Sequence, residues 1–163
     1  MNNKNKHMAM ISTLLLFCSF GAMSQEYQSV EGDWVSEEGN AVIKIYQCES
    51  DNICGDIVWL KNSTYSEGDE LENPEHKSGT LQLDEKNPIE SLQSRPVEGM
   101  TILKGFVQTS EKRWTRGSIY NPKNGKSYHC ILKLENDGDI LKIRGFMGFV
   151  WIGSTTRWVR KLE

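Results

Sequence analysis

Histidine is scarce in this chain, three residues in 163, and past the first seven positions only His76 and His129 remain. A zinc site needs clustered imidazole, thiolate or carboxylate ligands, and neither a Cys-x-x-Cys nor a histidine pair at helical spacing supplies them. No metal and no other cofactor is therefore expected. A Gly-x-Ser-x-Gly nucleophile elbow is also missing. His129 and Cys130 are neighbours, but adjacent strand residues point to opposite faces and form no local dyad. The glycines are scattered singly rather than grouped ahead of a helix, which removes the phosphate cradle. With no acid–base or nucleophile constellation to assemble, an enzyme is not expected.

No apolar stretch is long enough to span a bilayer as a helix. Met8 to Met23 is largely apolar but only 16 residues long, against the roughly 20 that a crossing needs. Lys4, Lys6 and His7 precede it and Ala22-Met23-Ser24 ends it in small residues, which predicts a secretory signal over residues 1–24, cleaved before Gln25. Lipidation at Cys18 is the weaker alternative, because Phe17 and not a small residue precedes that cysteine. Residues 25–163 then form one exported domain, periplasmic or secreted. Its 17 basic residues stand against 22 acidic ones, a net charge of −5 with no Lys/Arg-rich run, so nucleic acid is not an expected partner.

Three cysteines remain in that domain. Cys48 and Cys54 flank the polar turn Glu49-Ser50-Asp51-Asn52 between two strand-like runs, which predicts a disulfide across a hairpin. Cys130 shares its alternation with Tyr128, Leu132 and Leu134 and reads as a buried free thiol.

Nearly every patterned segment alternates with period two: residues 41–46, 53–60, 99–109, 113–120, 126–134 and 140–146. Turn residues lie between them, Glu38-Gly39-Asn40, Asn121-Pro122-Lys123-Asn124-Gly125 and Asn136-Asp137-Gly138. Short turns make antiparallel neighbours, so the fold class is all-β, a single up-and-down barrel of about eight strands closing on itself. Gly105, Gly117 and Gly145 fall mid-strand, where a narrow barrel bends or is closely approached. One long polar insertion, Lys61 to Glu98, interrupts the meander, with a short helical turn expected over Ile89–Gln93 after Pro88. It reads either as a lid or as a neutral surface insertion. Asp84 with Asn87-Pro88 predicts a capping arrangement that fixes this segment to the barrel, with ligand contact the second reading.

Trp34 opens the folded part and Trp158-Val159-Arg160 closes it. An arginine from the last strand lying across a tryptophan of the first is a cation–π contact that ties the two ends together. The plain alternative is a core indole and a solvated terminal charge.

These pieces, in order, resemble a family of small exported bacterial proteins of unknown function. The resemblance rests on Gly32-x-Trp34, Cys54-Gly55-Asp56-Ile57-Val58-Trp59-Leu60, Asp84-x-x-Asn87-Pro88, Arg95-Pro96-x-x-Gly99, Trp114-x-x-Gly117-x-Ile119-Tyr120-Asn121-Pro122, Arg144-Gly145-Phe146 and Trp158-x-Arg160. It implies a lipocalin-like β-barrel, a fold associated with small apolar or amphipathic molecules, and no established catalysis. The chain departs from the pattern at Asn121, where the family often carries Asp, and at Cys130.

Candidate ligand contacts come from alternation. Trp114, Arg116, Ser118 and Tyr120 share one face of a strand, and Lys104 shares another with Met100, Ile102 and Phe106. If those faces point inward, Arg116 is a buried cation that needs an anionic partner, and a carboxylate-headed amphipath such as a fatty acid fits. The other register puts Arg116 outside and lets Lys104 reach the rim. Lys142 and Arg144 alternate with a wholly apolar face and are expected in water. The leading function is an exported carrier of a small hydrophobic or amphipathic molecule. The alternative is an envelope interaction or scaffolding protein that meets a partner protein through Phe146, Phe149, Val150, Trp151 and Ile152.

Overall fold

The computed structural model describes residues 29–67 and 78–162; the expected signal segment lies outside the described residues. Eight strands follow one another: β1 (Gly32–Val35), β2 (Ala41–Gln47), β3 (Ile53–Leu60), β4 (Thr101–Ser110), β5 (Arg113–Asn121), β6 (Lys126–Glu135), β7 (Ile140–Phe146) and β8 (Gly153–Arg160). Each is antiparallel to the next, and β8 returns to β1 through Trp34↔Arg160 and Val35↔Val159, so the sheet is a closed up-and-down barrel. Among the described residues, helix is confined to single 3-10 turns, Glu49–Asp51, Glu90–Leu92 and Asn136–Gly138.

One end of the barrel is sealed. Trp34 is fully buried and donates its indole N–H to the Val30 carbonyl at 2.9 Å. The Arg160 guanidinium lies 4.3 Å above that indole. It donates to three backbone carbonyls, Gly138 at 2.9 Å, Glu31 at 2.9 Å and Ser29 at 2.7 Å. A flat, multiply donating cation suits this place, because it satisfies carbonyls from two chain segments while its face covers the ring. The Cys48–Cys54 disulfide, with Cα atoms 5.8 Å apart, staples the β2–β3 turn at the same end. Above the plug, Phe106, Trp114, Leu132, Leu134 and Leu141 fill the interior.

Local backbone geometry decides which residues those are. Gly105 and Arg116 both have positive φ, 72° and 67°, and lie between the paired positions Lys104↔Ser118 and Val107↔Thr115. The β5–β6 register slips between Trp114 and Gly117. Simple alternation therefore fails here: Trp114 and Gly117 are buried while Arg116 is exposed. The Phe106 ring occupies the space beside Gly117, where an added Cβ would come within 2.3 Å of it.

Between β3 and β4 the described parts of the polar insertion, residues 61–67 and 78–98, form a strap that packs against β5 and the β5–β6 turn. It carries isolated bridges Thr64↔Leu81 and Leu83↔Pro96 and the expected short helical turn at Glu90–Leu92. Gly125, in the β5–β6 turn, lies so close to the Lys86 carbonyl that a Cβ there would overlap it.

Candidate functional site: the open end of the barrel

The remaining interior is hollow. A cavity of about 640 Å³ opens at the end opposite the Trp34 plug, among the β1–β2, β5–β6 and β7–β8 connections. Trp158 is its deepest residue on β8, and Ile102, Ile119 and Ile143 give it an aliphatic wall. Tyr120, Tyr128 and Phe146 add aromatic surface. Gly145 lines it without a side chain, and a Cβ there would meet only Ile119 at 3.7 Å and Tyr128 at 3.9 Å, which widens the chamber.

Among the described residues, charge in the lining is confined to the rim. Glu37, Glu38 and Lys123 are the charged lining residues, all exposed. Lys123 stands 3.7 Å from Glu38 across the mouth, and Thr156 donates its hydroxyl to Glu37 at 2.8 Å. Asn40 donates to Glu38 at 2.6 Å. Asn121, the position that departs from the family pattern, spends its side-chain oxygen inside its own turn, accepting the Lys123 N–H at 2.9 Å.

Tyr120 joins the cavity to the strap. Its hydroxyl donates to Asp84 at 2.6 Å and accepts from Asn87 at 3.1 Å. Asp84 is fully buried and also receives Asn87 at 2.7 Å and Arg95 from Nε at 3.0 Å and Nη2 at 2.7 Å. Every acceptor of this buried carboxylate is thus used within the protein. Burial and the adjacent carboxylate push the Tyr120 phenol up to about 12.

Of the four candidate ligand contacts, Tyr120 alone lines the cavity. Lys104 and Arg116 face solvent, and Trp114 is packed into the filled half. The interior cation for a carboxylate-headed ligand is therefore absent from these positions, because the positive-φ kink turns Arg116 outward. Trp158, read as a closing residue, is also the cavity floor, while Trp34 and Arg160 form the plug. Asp84 and Asn87 lie in the strap network. Arg144 is half-buried rather than free in water, donating to the carbonyls of Val150 and Gly153. Phe146 lies against His129, ring centroids 5.7 Å apart, and leaves the exposed run to Met147–Ile152. Alternation missed the rim of Ser36–Asn40 and the β8 face of Ser154 and Thr156, since polar residues there carry no inward signal. Tyr128, which shares its alternation with buried Cys130, pairs with Ile119 across β5 and β6, a pairing that only the register discloses.

A closed eight-strand meander, plugged at one end and hollow at the other, defines a lipocalin-like barrel. The chain belongs to the bacterial family described as uncharacterized proteins conserved in bacteria (DUF2147), which matches it over residues 32–160. Its fold is similar to that of HP1028 from the human pathogen Helicobacter pylori, a protein described as belonging to the lipocalin family. The two share 16% identity, with a TM-score of 0.64 over 83% of this chain and 84% of that one. No curated protein matches the chain.

Proposed function

We propose that this protein is an exported binding module that holds a small hydrophobic or amphipathic molecule in the open half of its barrel. The carrying observation is the cavity of about 640 Å³ with its apolar wall and polar rim, within the roughly 300–1,000 Å³ of small-molecule sites. Apolar surface inside and charge only at the mouth favour a guest whose body is buried and whose polar end stays near Asn40, Lys123 and Thr156. The outward Lys104 and Arg116 take no part, so a carboxylate head group has no special claim. The Cys48–Cys54 disulfide supports an oxidising compartment, periplasmic or extracellular. Binding rather than catalysis is the reading, since the lining carboxylates Glu37 and Glu38 stand exposed and the buried thiol of Cys130 lies outside the lining.

The test is to purify the protein from its native source, extract it under denaturing conditions, and identify any stoichiometric small molecule by mass spectrometry. Gly145→Leu is the comparison, because a side chain there projects into the chamber. An apolar or amphipathic molecule present in the wild type and lost in the variant is expected. Empty extracts from both, with no uptake of an apolar fluorescent probe, would remove the carrier reading. The second reading, a protein that acts through its surface on an envelope partner, is favoured by the exposure of Phe149, Val150, Trp151 and Ile152.

A further inference from the structure

The turn between β7 and β8 holds apolar side chains in water. Met147, Phe149, Val150, Trp151 and Ile152 are all exposed, Phe149 at 60% and Trp151 at 70%, and no charged residue lies between Arg144 and Arg157. The Phe149 and Trp151 rings stack with centroids 4.6 Å apart and planes 9° from parallel. Nor is the turn a loose end. Arg144 donates to the Val150 carbonyl at 3.1 and 3.0 Å, to the Gly153 carbonyl at 3.1 Å and to the Thr155 hydroxyl at 3.1 Å. Ile152 N–H closes the turn on the Phe149 carbonyl at 2.9 Å. The backbone is fastened, and the apolar side chains are presented outward from it.

Two observations say what covers them. Met147 and Ile152 are exposed and also line the cavity, so the tip and the interior form one continuous apolar surface at the barrel mouth. The tip is also small: five side chains on one turn, against the roughly 20–30 residues that each partner brings to a stable protein–protein interface. A tryptophan and a phenylalanine on an uncharged projection instead match the boundary between lipid headgroups and acyl chains.

We propose that the Met147–Ile152 turn seats the mouth of the barrel on a lipid bilayer, with Phe149 and Trp151 inserted at the headgroup boundary. The attraction is apolar, so the chain binds zwitterionic phospholipid and keeps binding in high salt. Seated this way, the mouth opens onto the layer, and an apolar molecule passes along Met147 and Ile152 without crossing water. Docking needs the exposed tip and does not depend on what the cavity holds.

The test is flotation of the purified full chain with phosphatidylcholine vesicles in high salt. The wild type is expected to rise with the vesicles. The double variant Phe149→Ser/Trp151→Ser is expected to partition roughly tenfold or more weakly, as loss of two inserted aromatic side chains requires. Leu81→Ser, an exposed apolar residue on the strap, serves as the control and should partition like the wild type. The substituted side chains are exposed, so an unchanged thermal melt verifies the fold of each variant, and any contribution from the N-terminal apolar stretch is common to all three. Wild type left behind by the vesicles, or equal flotation of wild type and double variant, overturns the proposal. Dimerisation without flotation, abolished in the double variant, assigns the turn to a second copy instead. A stoichiometric guest in a chain that does not float overturns docking and leaves the carrier reading standing.

Discussion

Arg116 owes its place to one backbone angle. At φ 67° it absorbs a kink that sends Trp114 and Gly117 inward and its own guanidinium outward. Nothing in the local residue pattern signals a left-handed arginine, which is why strict alternation cannot carry one face from Trp114 through Arg116 to Tyr120. Gly117 is the counterpart that was legible, a mid-strand glycine beneath the Phe106 ring. Gly117→Ala should cost about 3 kcal/mol in urea unfolding, because a buried phenylalanine has nowhere to retreat. Protonated Cys130 and Tyr120 both contribute to stability at alkaline pH. Burial pushes the Cys130 thiol from its ordinary 9 up to about 12, and burial with the Asp84 carboxylate pushes the Tyr120 phenol from 10 to about 12. Both are bound to their protons more tightly in the folded chain. Their contribution is complete below the unfolded values and is lost as pH rises through the folded ones. Unfolding free energy should therefore decline from about pH 9 to about pH 12. Cys130→Ala should flatten the start of that decline and Tyr120→Phe its upper part, as read by urea melts across the range.

The strap is the element whose polarity conceals its attachment. Its charged and proline-rich composition reads as surface insertion, yet Asp84 within it is as buried as any core leucine. The Asp84-x-x-Asn87-Pro88 spacing disclosed a fixed point; the partners Tyr120 and Arg95 needed the fold, since one of them lies 36 residues away. Asp84→Asn should leave the barrel folded but loosen the strap. Arg95 loses its counter-charge, and because its side chain is 34% exposed, water relieves part of the loss, giving about 2 kcal/mol. Amide exchange is the measurement. Gln82 and Val97, whose N–H groups bond within the strap to Ser63 and Gln82, should exchange faster in the variant, while Ile143 and Leu132 should not. Strands and turns were readable along most of the chain because each hairpin is local. Which residues line the hollow half was not, because that depends on kinks that invert a face and on polar residues at the rim.

For the molecule as a whole, the two halves of the interior have different duties. The filled half contributes stability, and its end is held by Arg160 on Trp34 and three carbonyls. Arg160→Lys keeps the charge but loses the flat fork, so it should cost about 2 kcal/mol without altering guest uptake. Equilibrium unfolding and probe binding, measured on the same preparation, separate the two effects. The tryptophan and arginine at the chain ends announced this seal because it joins the first strand to the last. That same seam governs when the protein is able to fold. Its rungs pair residues 34 and 35 with 160 and 159, so a chain emerging from its amino end carries an unmated β1 edge until almost the whole sequence is free. Contacts of such long sequence separation form slowly. A chain cut short just before β8 would keep seven strands and two bare edges, an invitation to pair with its neighbours instead of with itself.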